Sequence, residues 1–69
     1  MLGKYNAEMN QEIIESYHDI HGTNPNTETR LKIAKQLPKE IHSLAKQWGW
    51  DDTEVRDKVY RFIKDEFIG

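Results

Sequence analysis

Apolar side chains recur along this chain at every third or fourth position, and glycine or proline interrupts the pattern at three places. This spacing puts the apolar side chains on one face of an α-helix, whereas a half-buried strand needs alternation at every second position. The interruptions lie at Gly22, Pro38 and Gly49. They predict an all-α fold, a small four-helix domain with short connections.

The limits of the helices follow from residues that favour helix ends. We expect helices over about residues 4–21, 27–36, 38–48 and 52–67. A glycine just past a helix accepts positive φ, which ends the first helix, and Asn or Thr at positions 26 and 27 can cap the second. At position 38 one kinked helix is the alternative to a break. We prefer a break, because proline suits a first turn and disfavours a helical residue before it.

One face of each helix is predicted to form the core. The first helix contributes Tyr5, Met9, Ile13, Tyr17 and Ile20. The second contributes Leu31, Ile33, Ala34 and Leu37, and the third contributes Ile41, Leu44, Ala45 and Trp48. The fourth contributes Val55, Val59, Phe62, Ile63 and Phe67.

Both tryptophans of the chain flank one glycine in the segment WGWDDTEV. We expect Gly49 to end the third helix and Trp48 to face the core from its last turn. Asp51 is predicted to cap the fourth helix, with Glu54 three residues later completing a capping box. Trp50 would then pack on the fourth helix as a hydrophobic staple.

Length and composition bound the class of protein. Sixty-nine residues with 36% apolar and 32% charged side chains allow one domain, 1–69, with a modest core. The chain has no cysteine, which excludes disulfides and thiolate metal sites. No apolar run reaches membrane-spanning length, and the first ten residues lack a signal-peptide core. We expect a complete, soluble, cytoplasmic protein that has no membrane partner.

The charges are segregated along the chain. Residues 1–28 hold five acidic side chains and one lysine, residues 29–47 hold five basic side chains and one glutamate, and residues 48–69 are again acidic overall. The basic segment 29–47 has two interpretations: a solvated face lying against an acidic helix, or a patch that contacts phosphates.

Catalytic chemistry finds little support in the sequence. His18 and His21 lie one turn apart, but no third ligand completes a metal motif. Ser16 and Ser43 are outside any nucleophile motif, and no glycine-rich phosphate loop is present. We therefore predict no enzyme activity and no catalytic, cofactor-binding or metal-binding residue.

The corner between the last two helices resembles the helix-turn-helix family of DNA-binding proteins over residues 41–60. The resemblance rests on Ala45, on Gly49 four residues later and on Val55 six residues further on. In that family these positions are a small residue at the helix contact, the turn glycine and an aliphatic anchor of the recognition helix. The resemblance implies a helix-turn-helix-like corner at 48–52 and a fourth helix that reads DNA.

The sequence departs from the family at Lys58, where a second aliphatic anchor is expected, and Val59 would replace it with a slight rotation of the helix. The fourth helix and the basic segment together supply the candidate nucleic-acid contacts. These are Arg30, Lys32, Lys35, Lys39, Lys46, Thr53, Arg56 and Arg61.

Acidic residues nevertheless crowd the start of the fourth helix, where they would repel a polyanion. We therefore expect a small non-enzymatic protein-binding regulator or adaptor whose partner is another protein. A helix-turn-helix nucleic-acid-binding regulator is the alternative. The predicted partner-binding residues are Glu54, Arg56, Asp57, Tyr60 and Arg61.

Overall fold

The computed structural model describes residues 7–67, which form four α-helices without a strand. These are α1 Ala7–His21, α2 Thr27–Gln36, α3 Lys39–Trp48 and α4 Thr53–Glu66. The all-α prediction is confirmed, and the predicted limits of α2, α3 and α4 hold to within one residue. The predicted start of the first helix, including Tyr5, lies outside the described residues.

Three predicted helix ends are confirmed by backbone geometry. Gly22 has φ of 78°, and its N–H donates to the carbonyl of His18 at 2.8 Å. The side-chain oxygen of Asn26 accepts the N–H of Thr29 at 2.8 Å and so caps α2. Gly49 has φ of 99° and ψ of 150°, a conformation that is essentially restricted to glycine.

The chain breaks at Pro38, as predicted. Leu37 leaves α2 with ψ of 129°, and Pro38 is extended with ψ of 148°. Proline therefore precedes the first residue of α3 instead of lying within its first turn. The preceding Leu37 is forced out of helical geometry by the proline ring and becomes a core residue, 6% exposed.

The core is one cluster of ten buried apolar side chains. All four helices contribute to it, as do Leu37 between α2 and α3 and Trp50 between α3 and α4. Five of them are fully buried, and three of these five belong to α4. The ten residues are Met9, Ile13, Ile33, Leu37, Ile41, Ala45, Trp50, Val55, Val59 and Ile63.

Two predicted core residues point into solvent. Leu31 is 50% exposed, because it lies about 200° around the helix from the buried Ile33. Trp48 is 60% exposed. It is the last residue of α3, and Trp50, 7% exposed, fills the core at this corner instead.

The predicted cap of α4 was wrong by one residue. Asp52, and not Asp51, is the N-cap: its Oδ2 accepts the N–H groups of Glu54 and Val55 at 3.0 and 3.3 Å. The turn between α3 and α4 is one residue longer than predicted: the N–H of Asp52 donates to the Gly49 carbonyl at 3.2 Å and closes it. A capping box would then need Glu or Gln at position 55, which is valine.

The shifted cap also changes the role of Trp50. A hydrophobic staple joins the residue just before the cap to the fourth residue of the helix, and that place now belongs to Asp51. Trp50 is instead a core residue, and its ring meets the ring of His42 edge-on with centroids 5.6 Å apart. Trp50 thereby ties the turn to α3.

The helices α1 and α4 pack against each other along their length and run in the same direction. Near their starts, Arg56 Nε lies 3.0 Å from Glu12 Oε1. At their ends, His21 Nε2 donates to the carbonyl of Phe67 at 2.8 Å. The chain returns between them through α2, which packs on α1, and α3, which packs on α4. This parallel pair creates the groove described next.

Candidate functional site

One face of α1 carries four carboxylates, and this face borders the first half of α4. The spacing of Glu8, Glu12, Glu15 and Asp19 follows the helical repeat, so the four side chains form a row. Across from them lie Asp51 and Asp57, with one arginine between the two helices. We call this surface the acidic groove; it is formed by Glu8, Glu12, Glu15, Asp19, Trp50, Asp51, Arg56, Asp57 and Tyr60.

Two cavities lie along the acidic groove. The first, of about 280 Å³, is at the start of α1, and we call it the Trp50 cavity. It is lined by Ala7, Glu8, Gln11, Glu12, Trp50 and Asp51. The second, of about 260 Å³, lies further along both helices and is lined by Ser16, Asp19, Thr53, Arg56, Asp57 and Tyr60.

Arg56 separates the two cavities and is held by α1. Its Nε lies 3.0 Å from Glu12 Oε1, and its Nη2 lies 3.5 Å from Glu15 Oε1. Glu15 in turn accepts a hydrogen bond from the side chain of Gln11 at 2.8 Å. The guanidinium is therefore turned towards α1, although half of the side chain is exposed. Its charge is already partly neutralised before any partner arrives.

Glu12 is the buried carboxylate of the acidic groove, with a side chain that is 8% exposed. Burial raises the pKa of Glu12 above its ordinary value, Arg56 opposes this rise, and the carboxylates of Glu15 and Asp51 add to it. Arg56 Nε lies at ion-pair distance, 3.0 Å from Glu12 Oε1, while this oxygen has no partner of full hydrogen-bond geometry among the described residues. A buried carboxylate oxygen in this state favours an additional donor.

The predicted partner-binding residues are only partly gathered at one place. Arg56, Asp57 and Tyr60 line the second cavity. Arg61 lies outside it and pairs with Asp57, with Nε 3.0 Å from Oδ2. With Asp57 and Tyr60 it lines a further cavity of about 390 Å³ on α4. Glu54 is exposed and lines neither cavity.

The predicted nucleic-acid-binding residues are dispersed among different contacts. The three arginines bind separate groups: Arg30 donates to Asn10 Oδ1 at 2.7 Å, Arg56 pairs with α1, and Arg61 pairs with Asp57. Thr53 lines the second cavity. The four lysines are exposed, and none forms an ion pair with another described residue; they are Lys32, Lys35, Lys39 and Lys46.

The basic segment lies partly against the acidic first helix, since α2 packs on α1, but the described residues show no ion pair between the two. Arg30 alone reaches α1, and its partner there is the neutral amide of Asn10. The carboxylates of Glu12 and Glu15 are paired with Arg56 of α4 instead. The reason is topological: the face of α1 that carries the carboxylates packs along α4.

The sequence-based prediction missed the α1 side of the acidic groove and Trp50. The signal was present in α1 as the helical spacing of four acidic residues. What the sequence lacked was any indication that this face lies beside another helix and not in open solvent.

The α3–α4 corner has the buried positions that the helix-turn-helix resemblance implies. Ala45 is 4% exposed, and Val55 and Val59 are fully buried. Comparisons of the chain with protein-family models, with curated proteins and with solved structures give no match. Membership of a DNA-binding family therefore stays a prediction.

Within residues 7–67, no helix has both the length and the apolar character needed to cross a membrane. In the same residues, no three side chains from His, Asp and Glu are grouped so that they could hold a metal ion.

Proposed function

We propose that this protein is a non-enzymatic binding module that docks a basic segment of a partner protein in the acidic groove. The observation that carries the proposal is the charge of the groove, which six carboxylates from α1, the corner and α4 line. Among the described residues, the basic side chains beside them are Arg56 within the groove and Arg61 and Lys64 at its α4 end. Surfaces of one sign steer an oppositely charged partner and speed its association.

A protein partner suits this surface better than nucleic acid does. Phosphates would be repelled by the carboxylates at the start of α4, the helix that the alternative function assigns to base reading. The three arginines that would contact DNA are engaged within the protein, although Arg56 and Arg61 are largely exposed. Among the candidate DNA contacts, the lysines of α2 and α3 form no ion pair with a described residue. Tyr60, half-buried in the groove, adds an amphipathic ring of a kind enriched at protein interfaces.

Site-specific photo-crosslinking in the host cell tests this proposal. A benzophenone amino acid at Tyr60 should form an adduct with one predominant protein, whereas the same probe at Lys35, on α2, should not. Asp19→Lys combined with Asp57→Lys should reduce that adduct several-fold, because it reverses charge in the groove. The matched pair Glu28→Lys and Glu40→Lys, on exposed first turns of α2 and α3, changes net charge equally and should leave the adduct intact.

A DNA-binding assay gives the contrary outcome. Asp57→Asn removes a groove carboxylate without touching the N-cap of α4. In a protein-binding module this change slows association with the basic partner. Sub-micromolar binding of duplex DNA by the wild type at physiological salt, tightened by Asp57→Asn, would establish the alternative function instead.

A further inference from the structure

We infer that the Trp50 cavity is a subsite for one arginine side chain of the partner's basic segment. The inference rests on the proposed function and assigns a specific task to one end of the acidic groove. Three properties of the cavity carry it: size, charge and an unsatisfied acceptor.

The size of the cavity suits a single long side chain. Its volume of about 280 Å³ lies just below the range of cavities that hold whole small-molecule ligands. The walls include Ala7 and the indole of Trp50, which offer apolar surface to the methylene stem. Trp50 is packed in the core and only 7% exposed, so this wall is formed before a ligand arrives.

The charge of the cavity selects a cation. Glu8, Glu12 and Asp51 line it together with Gln11, and none of the basic side chains within residues 7–67 does. Glu8 and Asp51 form no ion pair with another described residue. A cation beside the indole would also gain a cation–π attraction.

Glu12 provides the observation that separates this cavity from a mere acidic cluster. It lines the cavity while its side chain is more than nine-tenths buried, and its Oε1 accepts no hydrogen bond from the described residues. Arg56 approaches this oxygen from the second-cavity side, 3.0 Å away. A donor entering through the Trp50 cavity would complete its coordination.

Arginine fits this arrangement better than lysine. Its planar guanidinium presents five donors in a fixed fork, so it can bridge carboxylates on two sides of one cavity. A lysine ammonium is a compact and strongly hydrated point charge, which gains less from a partly apolar cavity. The partner's segment is therefore expected to place an arginine at the start of α1 and further basic residues along the groove.

Nuclear magnetic resonance titration of the full chain tests the inference with a nine-residue oligoarginine peptide and an oligolysine peptide of equal length. The two tryptophans supply an internal control, because Trp50 lines the cavity and Trp48 is 60% exposed outside the groove. Oligoarginine should shift the indole N–H signal of Trp50 and the side-chain amide of Gln11, and leave that of Trp48 in place. Oligolysine should bind at least about threefold more weakly.

Paired variants locate the binding energy. Glu8→Gln combined with Asp51→Asn should weaken oligoarginine binding roughly three- to tenfold, since it removes two exposed carboxylates of the cavity. Both side chains are exposed, and the N-cap of α4 is Asp52 and not Asp51, so the fold should persist. Glu28→Gln combined with Glu40→Gln changes the net charge equally and should keep the affinity within about twofold.

The contrary outcomes are distinct. Oligoarginine binding that shifts Asp19 and Asp57 but not Trp50 would refute the arginine subsite and leave the proposed function standing. Equal shifts of Trp50 with oligolysine would also refute it, as would equal losses from the two paired variants. Failure of both peptides to bind at low salt would overturn the subsite and the proposed function together.

Discussion

A single carboxylate, that of Asp52, caps the N-terminus of α4. Asp52 satisfies two N–H groups of the first turn, while the adjacent Asp51 is exposed and makes no hydrogen bond to them. Asp52→Ala should lower the free energy of unfolding by about 1 kcal/mol, whereas Asp51→Ala should change it by less than about 0.5 kcal/mol. Urea denaturation at pH 7 measures both values. Equal losses would mean that the two residues share the cap.

Glu12 makes the stability depend on pH in a direction opposite to that of most acidic residues. Its raised pKa means that the folded protein favours the protonated carboxyl. The stabilisation is fully present below the ordinary value of 4.5 and is lost as the pH rises through the raised pKa. The groups around Glu12 are Arg56 and Asp51 from across the groove, with Glu15 and Glu8 on α1.

Replacing this charge by a neutral amide of similar shape should therefore increase the stability of the protein at neutral pH. Glu12→Gln is expected to unfold at a higher temperature than the wild type at pH 7, and the difference should shrink as the pH falls towards 4.5. Arg56 keeps Glu15 as its partner and half of its side chain in solvent, so no buried cation is left behind. Thermal melts across this pH range measure the effect; a wild type more stable than the variant at pH 7 would show that the Arg56 pair dominates.

At the scale of elements, the α3–α4 corner buries Trp50 in the core and leaves Trp48 exposed to solvent. Truncating a buried tryptophan typically costs about 3–5 kcal/mol, which is comparable with the whole stability of so small a domain. Trp50→Ala should therefore leave the chain largely unfolded at 25 °C, while Trp48→Ala should cost less than about 1 kcal/mol. Circular dichroism at 222 nm during heating distinguishes the two. A similar loss from both variants would contradict the burial of Trp50 alone.

The elements themselves were largely predictable from sequence, because helix ends depend on local chemistry. Gly22 and Gly49 supply positive φ, and Pro38 forces the residue before it out of the helix. The errors arose where the burial of a side chain depends on a neighbouring element of the fold. Leu31 and Trp48 belong to plausible apolar stripes, but periodicity alone does not predict how much of each helix surface the other helices bury.

At the scale of the whole molecule, the site was less predictable than the fold. Its α4 half, with Arg56, Asp57 and Tyr60, follows from the charge pattern of one helix. Its α1 half depends on the parallel packing of the first and last helices, which contact each other across more than forty intervening residues. Apolar stripes do not specify which helices pair, so the row of carboxylates on α1 had the same sequence signature as a solvent-exposed face.

The pairing of the first helix with the last also determines when the core can form during synthesis. A ribosome adds about 5–20 residues per second, so α1 is complete roughly two to nine seconds before the last turn of α4 is made. During that interval Ile13 lacks the valines and isoleucine of α4 that share its core cluster. The nascent chain therefore presents an apolar stripe to chaperones until α4 has been made. Chains halted on the ribosome after residue 52 should accordingly remain protease-sensitive, and chains halted by a long linker after residue 69 should not.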